Sequence, residues 1–370
     1  MSTPIPGLHR LLLAVVACLL ALAVSGVDPA RAAPFRSAAA ARPSVFAYYY
    51  LWWSTNHWKD KLGTSYPYSQ TPLPLPATLG ADGCNAVSLY SGNQLFDVPA
   101  ALWTQDDGAT IERDVRTAAS AGLAGFLVNW AGTGSSSQTP TSISYSRRLD
   151  AVVAAVRKVN AEGIAFKVWI SLKTASSPST SAIAGDLAYL KRQYGSSSAL
   201  GRIAGRPVVV WTGSRKYSLS AVKTISGQFR SSFYLVGDET STSWSDGRAG
   251  YLDGDSYYWS SQNPYTNPKS FSQLKTLAAQ VRSTKNPDGS SKLWVAPFTP
   301  GYNAELLRGG SCVPRKGTET MRRLFEGNAA TAPDAWALIS WNEIAEGTHV
   351  VPLQRWGTVY LNQVRALIGG

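Results

Sequence analysis

Two glutamates three residues apart, Glu343 and Glu346, follow a short apolar run, Trp336 to Trp341, that begins just after a Pro-Asp turn at Pro333 and Asp334. The run reads as a buried strand. Carboxylates at i and i+3 can lie on one side of a single turn, and a strand exit is where catalytic side chains gather in parallel α/β barrels. Retaining glycoside hydrolysis needs two carboxyls about 5 Å apart, whereas an inverting site keeps a wider gap for water. The chemistry open to this pair is therefore acid/base cleavage of a glycosidic bond. A helix start that merely favours acidic residues would produce the same pattern.

Other chemistries are thinned by what is missing. If the amino-terminal segment leaves as an export signal, only His57 and His349 remain, so a three-histidine zinc site is out of reach, and no HExxH occurs. Neither a GxSxG elbow nor a P-loop is present, and Gly132-Thr133-Gly134 lacks the third glycine of a dinucleotide fingerprint. The expectation is carboxylate chemistry with no metal and no cofactor. Asp238, Glu239, Asp253 and Asp255 follow or flank other strands; each alone suits a turn or an ion pair with Arg248. Asp238 or Glu239 with one glutamate of the pair would make an inverting alternative.

The elements that must position these residues repeat as strand, polar connection, helix. Eight candidate strands run from Val45 to Trp52, Gly125 to Trp130, Phe166 to Leu172, Pro207 to Trp211, Phe233 to Gly237, Tyr251 to Trp259, Leu293 to Pro297 and Trp336 to Trp341. Helical patterns fall at Ile111 to Ala121, Arg147 to Glu162, Ile183 to Tyr194, Leu219 to Arg230, Phe271 to Val281, Thr318 to Glu326 and Trp356 to Leu367, with no clear helix after the fifth strand. This alternation predicts an α/β fold, a (β/α)8 TIM barrel. Helix-to-strand connections are short, as at Gly122 to Ala124. Strand-to-helix connections are long and polar, as at Ser54 to Thr110, Ala131 to Ser146 and Thr174 to Ser181. One barrel face is decorated and the other trimmed, which is how such barrels separate function from stability.

Aromatic residues crowd the decorated face. Tyr48 to Trp53 end the first strand and His57 and Trp58 follow; Trp130, Trp211 and Tyr257 to Trp259 end others. Alternation turns about half of such rings into the barrel and half outward, so packing explains several. At the mouth, flat rings suit the apolar faces of sugars.

Residues 1–33 read as a signal peptide: a weakly basic start closing at His9 and Arg10, an apolar run Leu11 to Val24, and a small-x-small site at Ala30-Arg31-Ala32. The run is too short to span a bilayer comfortably, and no later stretch approaches that need. Val15-Val16-Ala17-Cys18 as a lipoprotein box would leave almost no apolar segment ahead of the cysteine. The reading is a secreted chain with one domain, 34–370, and no membrane span after processing. Cys84 and Cys312 then form an even pair in an oxidising compartment, which suggests one disulfide. The formal charge is +12 and the pI about 9.6. No run of Lys and Arg accompanies it, so the expectation is a solvated basic surface and no nucleic acid; an anionic cell-wall glycan stays open.

Ser340-Trp341-Asn342-Glu343-Ile344-Ala345-Glu346-Gly347-Thr348 resembles the strand-eight motif of glycoside hydrolase family 99 and its relatives in family 71, S-[FW]-N-E-[WY]-x-E-[GS]-T. AYYYLWW at Ala47 to Trp53, AGLAGFLVNWAG at Ala121 to Gly132, GRPVVVW at Gly205 to Trp211, YLDGDSYYW at Tyr251 to Trp259 and APFTPGYN at Ala296 to Asn303 are similar landmarks in family order. The resemblance implies a (β/α)8 barrel acting on α-linked polysaccharides, α-mannan in family 99 and α-1,3-glucan in family 71. It also implies endo action with retention through a 1,2-anhydro sugar. Glu343 is then the base on the sugar 2-hydroxyl and Glu346 the acid on the leaving oxygen; Tyr257 or Tyr258 stands near the reacting sugar. The chain departs from the E-W-H-E pattern at Ile344 and Ala345, and has Val351 where a further glutamate often follows.

The residues expected to meet substrate are Glu343 and Glu346 as catalysts, with Tyr50, Trp52, Trp53, Trp130, Tyr257, Tyr258, Trp259, Trp341 and Asn342 binding a polysaccharide or oligosaccharide. The rival reading is a carbohydrate-binding protein that kept the barrel and lost the chemistry.

Overall fold

Eight parallel strands close into a barrel in a computed structural model that describes residues 42–67, 84, 94–134, 140–173, 178–239, 247–308 and 310–369. The strands are β1 (Ser44–Tyr50), β2 (Gly125–Trp130), β3 (Lys167–Lys173), β4 (Arg206–Thr212), β5 (Tyr234–Gly237), β6 (Gly254–Ser256), β7 (Leu293–Phe298) and β8 (Ala335–Leu338). Each pairs in parallel with the next, and β8 returns to β1 through registers such as Ala47 opposite Leu338. The fold is the (β/α)8 barrel expected from the alternation. Residues 1–33, read as a signal peptide, lie outside the described residues, as do parts of the long connections after β1, β2 and β3.

The helices that follow the strands around the barrel are α1 (Gly108–Ser120), α2 (Pro140–Ala161), α3 (Thr180–Tyr194), α4 (Leu219–Phe229), α5 (Lys269–Ser283), α6 (Glu319–Ala329) and α7 (Val359–Gly369), and shorter helices Thr55–Leu62 and Glu305–Arg308 lie in the connections after β1 and β7. Between β5 and β6 the described residues hold only a 3-10 turn, Arg248–Tyr251. Side-chain caps start several helices: Asp107 accepts from the Ala109 N–H, Ser179 from Ala182 and Ser218 from Ala221. Among the described residues no helix is long and apolar enough to cross a membrane.

The period of two along each strand sorts the core into two layers. Phe46, Tyr48, Tyr50, Leu127, Trp169, Val208, Val210, Val236, Val295 and Ala337 fill the barrel, with Phe46 stacked on Trp169 at 4.0 Å. The alternate residues, including Tyr49, Phe126, Val128, Trp130, Trp211 and Trp336, pack beneath the helices. The described residues from Pro43 onward form one compact unit. Cys84 and Cys312 are joined in a disulfide, as their even count suggested.

Apart from β2, the strand ends shift by a residue or two from the sequence reading, and two strands depart further. β8 stops at Leu338: the Ile339 N–H still reaches Phe298 O of β7, but the Ser340 N–H turns away to Thr348 O. The Ile339–Ser340 peptide bond is cis. β6 is only three residues long; Asp253 just ahead of it is held by Arg206 and Arg230, and Asp255 within it accepts the Glu239 N–H.

Candidate active site

At the carboxyl edge of the barrel, the inward-facing register continues past the apolar layers and becomes polar. Tyr50, Asn129, Lys173, Thr212 and Asp238 extend the inward rows of β1 to β5 into the floor of an open cleft. One lobe, about 200 Å³, adds Trp52, Gly213, Arg215, Lys216, Tyr258, Glu343 and Glu346 to that lining. A second lobe, about 410 Å³, is bounded by Trp52, His57, Lys61, Gln94, Lys173, Leu307, Glu343, Ala345 and Glu346. Both lobes share Glu343 and Glu346, so the two carboxyls stand where the lobes meet.

The segment after β8 holds the pair by backbone bonds. Ser340 Oγ accepts the Glu343 N–H at 2.8 Å, and Glu343 Oε1 accepts the Glu346 N–H at 3.4 Å. Gly347, at φ +61, lets the chain reverse so that its N–H reaches Ile344 O and the Thr348 N–H reaches Glu343 O. Ile344 is buried in the core and anchors the turn from below. Asn342, fully buried, accepts the Tyr50 N–H at 2.8 Å and donates to Tyr50 O at 2.9 Å, carrying the β8-to-β1 contact beyond the last ladder pair. Asn342→Ala would leave the Tyr50 N–H buried without an acceptor, at about 1–3 kcal/mol. The expected result is a lower urea midpoint together with weakened activity, because Tyr50 and Glu343 are positioned by the same side chain.

Electrostatics set the two glutamates apart. Glu343 is 4% exposed. Burial pushes its carboxyl up, to about 8, and the charge of Glu346 adds to this against the pull of Lys173 and of backbone N–H groups. Near neutral pH Glu343 is therefore held as a carboxylic acid beside Glu346. The Tyr50 and Tyr258 hydroxyls lie 2.8 Å apart. Burial and the nearby carboxylates keep both phenols well above their usual range, so they stay protonated. Burial pushes His57 down to about 4, leaving a neutral ring beside Trp52 and Trp53.

A pH dependence of stability follows from the raised carboxyl. Folded Glu343 binds its proton more tightly than an unfolded glutamate with a pKa of about 4.3. Its contribution is fully present below that value and is lost as pH rises towards 8. Asp114 and Asp238, both pushed to about 6 chiefly by burial, act in the same direction over a lower window. His57 and His349, both pushed down to about 4 chiefly by burial, oppose them only below about 6.5. Between about pH 6.5 and 8 the unfolding midpoint should fall as pH rises, and Glu343→Gln should flatten that fall. An unchanged slope in the variant would contradict the raised carboxyl.

The structure brings together Tyr50, Trp52, Tyr258, Glu343 and Glu346. Trp52 stacks on Tyr50 at 4.5 Å and carries Lys173 Nζ at 4.8 Å from its ring. It does not bring the other expected contacts to the cleft. Trp53 is buried against Trp58 and donates through Nε1 to Asn342 O at 2.7 Å. Trp130 faces outward from β2 and stacks on Tyr189 of α3 at 5.6 Å, and Trp341 is buried against Phe126 at 5.4 Å. Tyr257 and Trp259 pack on each other beside the core at 5.6 Å, and Asn342 works behind the pair. Asp238 borders the cleft but is occupied by Arg215 at 2.5 Å and by the Gly213 and Tyr258 N–H groups. Glu239 is buried away from it, on Ser214 Oγ at 2.6 Å and Arg248 at 3.2 Å.

Sequence reasoning missed Asn129, Lys173, Thr212, Arg215 and Lys216. The first three carried a legible signal: Asn129 and Thr212 lie two residues beyond the inward Leu127 and Val210, and Lys173 four beyond the inward Trp169, so the strand period alone aims each at the mouth. Arg215 and Lys216 ride a 3-10 turn, Ser214–Lys216, whose geometry has no sequence signature beyond Gly213. Among the described residues no group of His, Cys, Asp and Glu side chains could hold a metal ion.

A parallel (β/α)8 barrel with a paired-carboxyl cleft over its carboxyl edge is the class of architecture shared by many glycosidases. The solved structures similar to this chain narrow the fold. The glycoside hydrolase family 99 endo-α-mannosidase of Bacteroides thetaiotaomicron superposes with a TM-score of 0.67 at 15% identity, covering 89% of this chain and 97% of that one. Its complex with bis-tris-propane gives 0.66 at 14%, with the same coverage. A glycoside hydrolase-like protein gives 0.62 at 12%, covering 89% and 94%. The chain has a family 99-like fold. No protein-family model matches the sequence, and a search of curated proteins finds none similar to it.

Proposed function

We propose that the protein is a secreted glycoside hydrolase, endo-acting and retaining, that cleaves an α-linked polysaccharide of the α-mannan or α-glucan type. The observation that carries this reading is the pair Glu343 and Glu346 at the junction of two lobes, with the Glu343 carboxyl pushed up by burial. Glycoside cleavage needs one carboxyl protonated and one ionised at the working pH. Endo action is supported by the lobes, which give a chain room on both sides of the pair. Secretion is supported by the apolar amino-terminal segment and by the disulfide, which suits an oxidising compartment.

The pair acts as one proton-sharing unit. Burial favours the proton on Glu343, the more deeply buried carboxyl. The roles implied by the family resemblance, Glu343 as base and Glu346 as acid, require that proton to pass to Glu346 as substrate displaces water. Tyr50 and Tyr258, both protonated, can then donate to sugar oxygens, and the Trp52 face can take a sugar ring. A panel of α-mannans, α-glucans and bacterial cell-wall glycans tests the reading. Oligosaccharides released with the anomeric configuration of the cleaved bond, followed by NMR, are expected. Binding without release would support a carbohydrate-binding protein, and an inverted product would remove the retaining assignment.

A further inference from the structure

Behind the turn that carries the glutamates lies a buried arginine with no part in the acid/base chemistry. Arg315 follows the short antiparallel pairing of Cys312–Val313 with Tyr302–Asn303, on the way from β7 to α6. It is 2% exposed and lines neither lobe of the cleft. Its guanidinium carbon sits 3.8 Å from the centre of the Trp356 ring, just ahead of α7, and 4.3 Å from that of Tyr360, within it. The two rings take the flat faces of the group and leave its edge for hydrogen bonds. From that edge Nη2 donates to Gly347 O at 2.8 Å and to His349 O at 2.9 Å. Carbonyls of buried residues need donors, and one guanidinium serves both. Gly301 backs the arginine closely: a Cβ there would stand 2.6 Å from Arg315 Cγ.

The two glutamates rest on different supports. Glu343 is fixed from its own end of the turn, by Ser340 Oγ and by Ile344 in the core. Glu346 is gripped from the connection between β7 and α6: its carbonyl accepts the Asn303 N–H at 2.7 Å, and the next carbonyl accepts Arg315. The far end of this grip, His349, is tied in turn through Nε2 to Asp97 Oδ2 at 3.2 Å. We infer that Arg315 is a positioning residue for Glu346, fixing the main chain from which that carboxyl projects without itself reaching substrate. The inference rests on the glycosidase reading for what Glu346 does and on these hydrogen bonds for how it is held.

Arg315→Lys in the full-length protein keeps the charge and gives up the fork and the stacking. On the polymer that the parent cleaves, kcat should fall roughly 10- to 100-fold, the cost of a displacement of about 1 Å at a reacting group, with KM little changed. The loss should divide between substrates as it does in Glu346→Gln: heavy on polymer, light on a glycosyl fluoride of the cleaved sugar, whose departure needs no acid. Trp356→Leu removes one ring and leaves every hydrogen-bonding atom of Arg315 in place. It should give the same pattern in smaller measure, and it carries the test if Arg315→Lys does not fold. No loss, or a split between polymer and fluoride unlike that of Glu346→Gln, overturns the inference. Carboxyl ¹³C labelling of the glutamates separates it from the reading beneath it: in Arg315→Lys the Glu346 resonance should move or broaden while that of Glu343 holds. That change in a protein that releases nothing from any polymer would keep the positioning role and remove the glycosidase. Polymer release with both resonances unmoved would do the reverse.

Discussion

Replacing Glu346 by Gln should lower polysaccharide turnover about 10²- to 10⁴-fold, the range for losing a positioned acid/base group. Circular dichroism and the unfolding midpoint should stay close to those of the parent. Glu346 is half-buried at the cleft, and its backbone contacts, the N–H to Glu343 Oε1 and the carbonyl to the Asn303 N–H, survive the exchange. The amide keeps the shape of the carboxyl and cannot cycle a proton. A glycosyl fluoride of the cleaved sugar needs no protonation of its leaving group. If Glu346 is the acid, that substrate should restore much of the lost rate in Glu346→Gln but not in Glu343→Gln. The reverse pattern would exchange the two roles, in line with the burial that favours a proton on Glu343.

Asp253→Ala should cost about 3–5 kcal/mol of stability, the penalty for removing one member of a buried ion cluster, and leave the folded fraction catalytically normal. Asp253 is 1% exposed at the amino end of β6, on the face of the barrel opposite the cleft. Its carboxylate takes Arg230 Nε at 2.9 Å, Arg206 Nη1 at 3.2 Å and the Leu235 N–H at 2.8 Å. Truncation would leave two largely covered guanidinium groups and a buried backbone donor unmatched between β4, β5 and β6. The exposed cluster of Arg116 with Glu112 and Glu162 makes similarly short contacts, yet water screens it, so its removal should matter far less. Urea unfolding measures the loss; a small shift for Asp253→Ala would contradict the role assigned to the cluster.

The barrel was legible because its strands alternate with amphipathic helices, and a period of 2 against 3.6 survives in sequence without any tertiary information. β2 was read to the residue, Gly125 to Trp130. Element ends were less clear where tertiary contacts decide them. Nothing in Trp336 to Trp341 says that the chain leaves the sheet after Leu338, because the departure is made by the bond of the Ser340 N–H to Thr348 O, eight residues on. At the mouth, counting aromatics misled where counting alternation would not. Trp130 shares the outward row of Phe126 and Val128, and its neighbour Asn129 faces the cleft. Trp53 and Trp341 were legible as aromatic but not as buried, since both lie past the strand ends where the period no longer applies. The glutamate pair was found because its spacing brings both carboxyls to one side of one turn, a local property.

Selective labelling of glutamate carboxyl carbons and a ¹³C NMR titration of the empty protein would test most directly whether residues 343 and 346 share one proton. The expected record is a single Glu343 resonance titrating near 8 in the parent protein, moving to lower pH in Glu346→Gln as the neighbouring charge disappears. Two carboxyls titrating independently in the ordinary range, with Glu343 indifferent to the Glu346 substitution, would contradict the account.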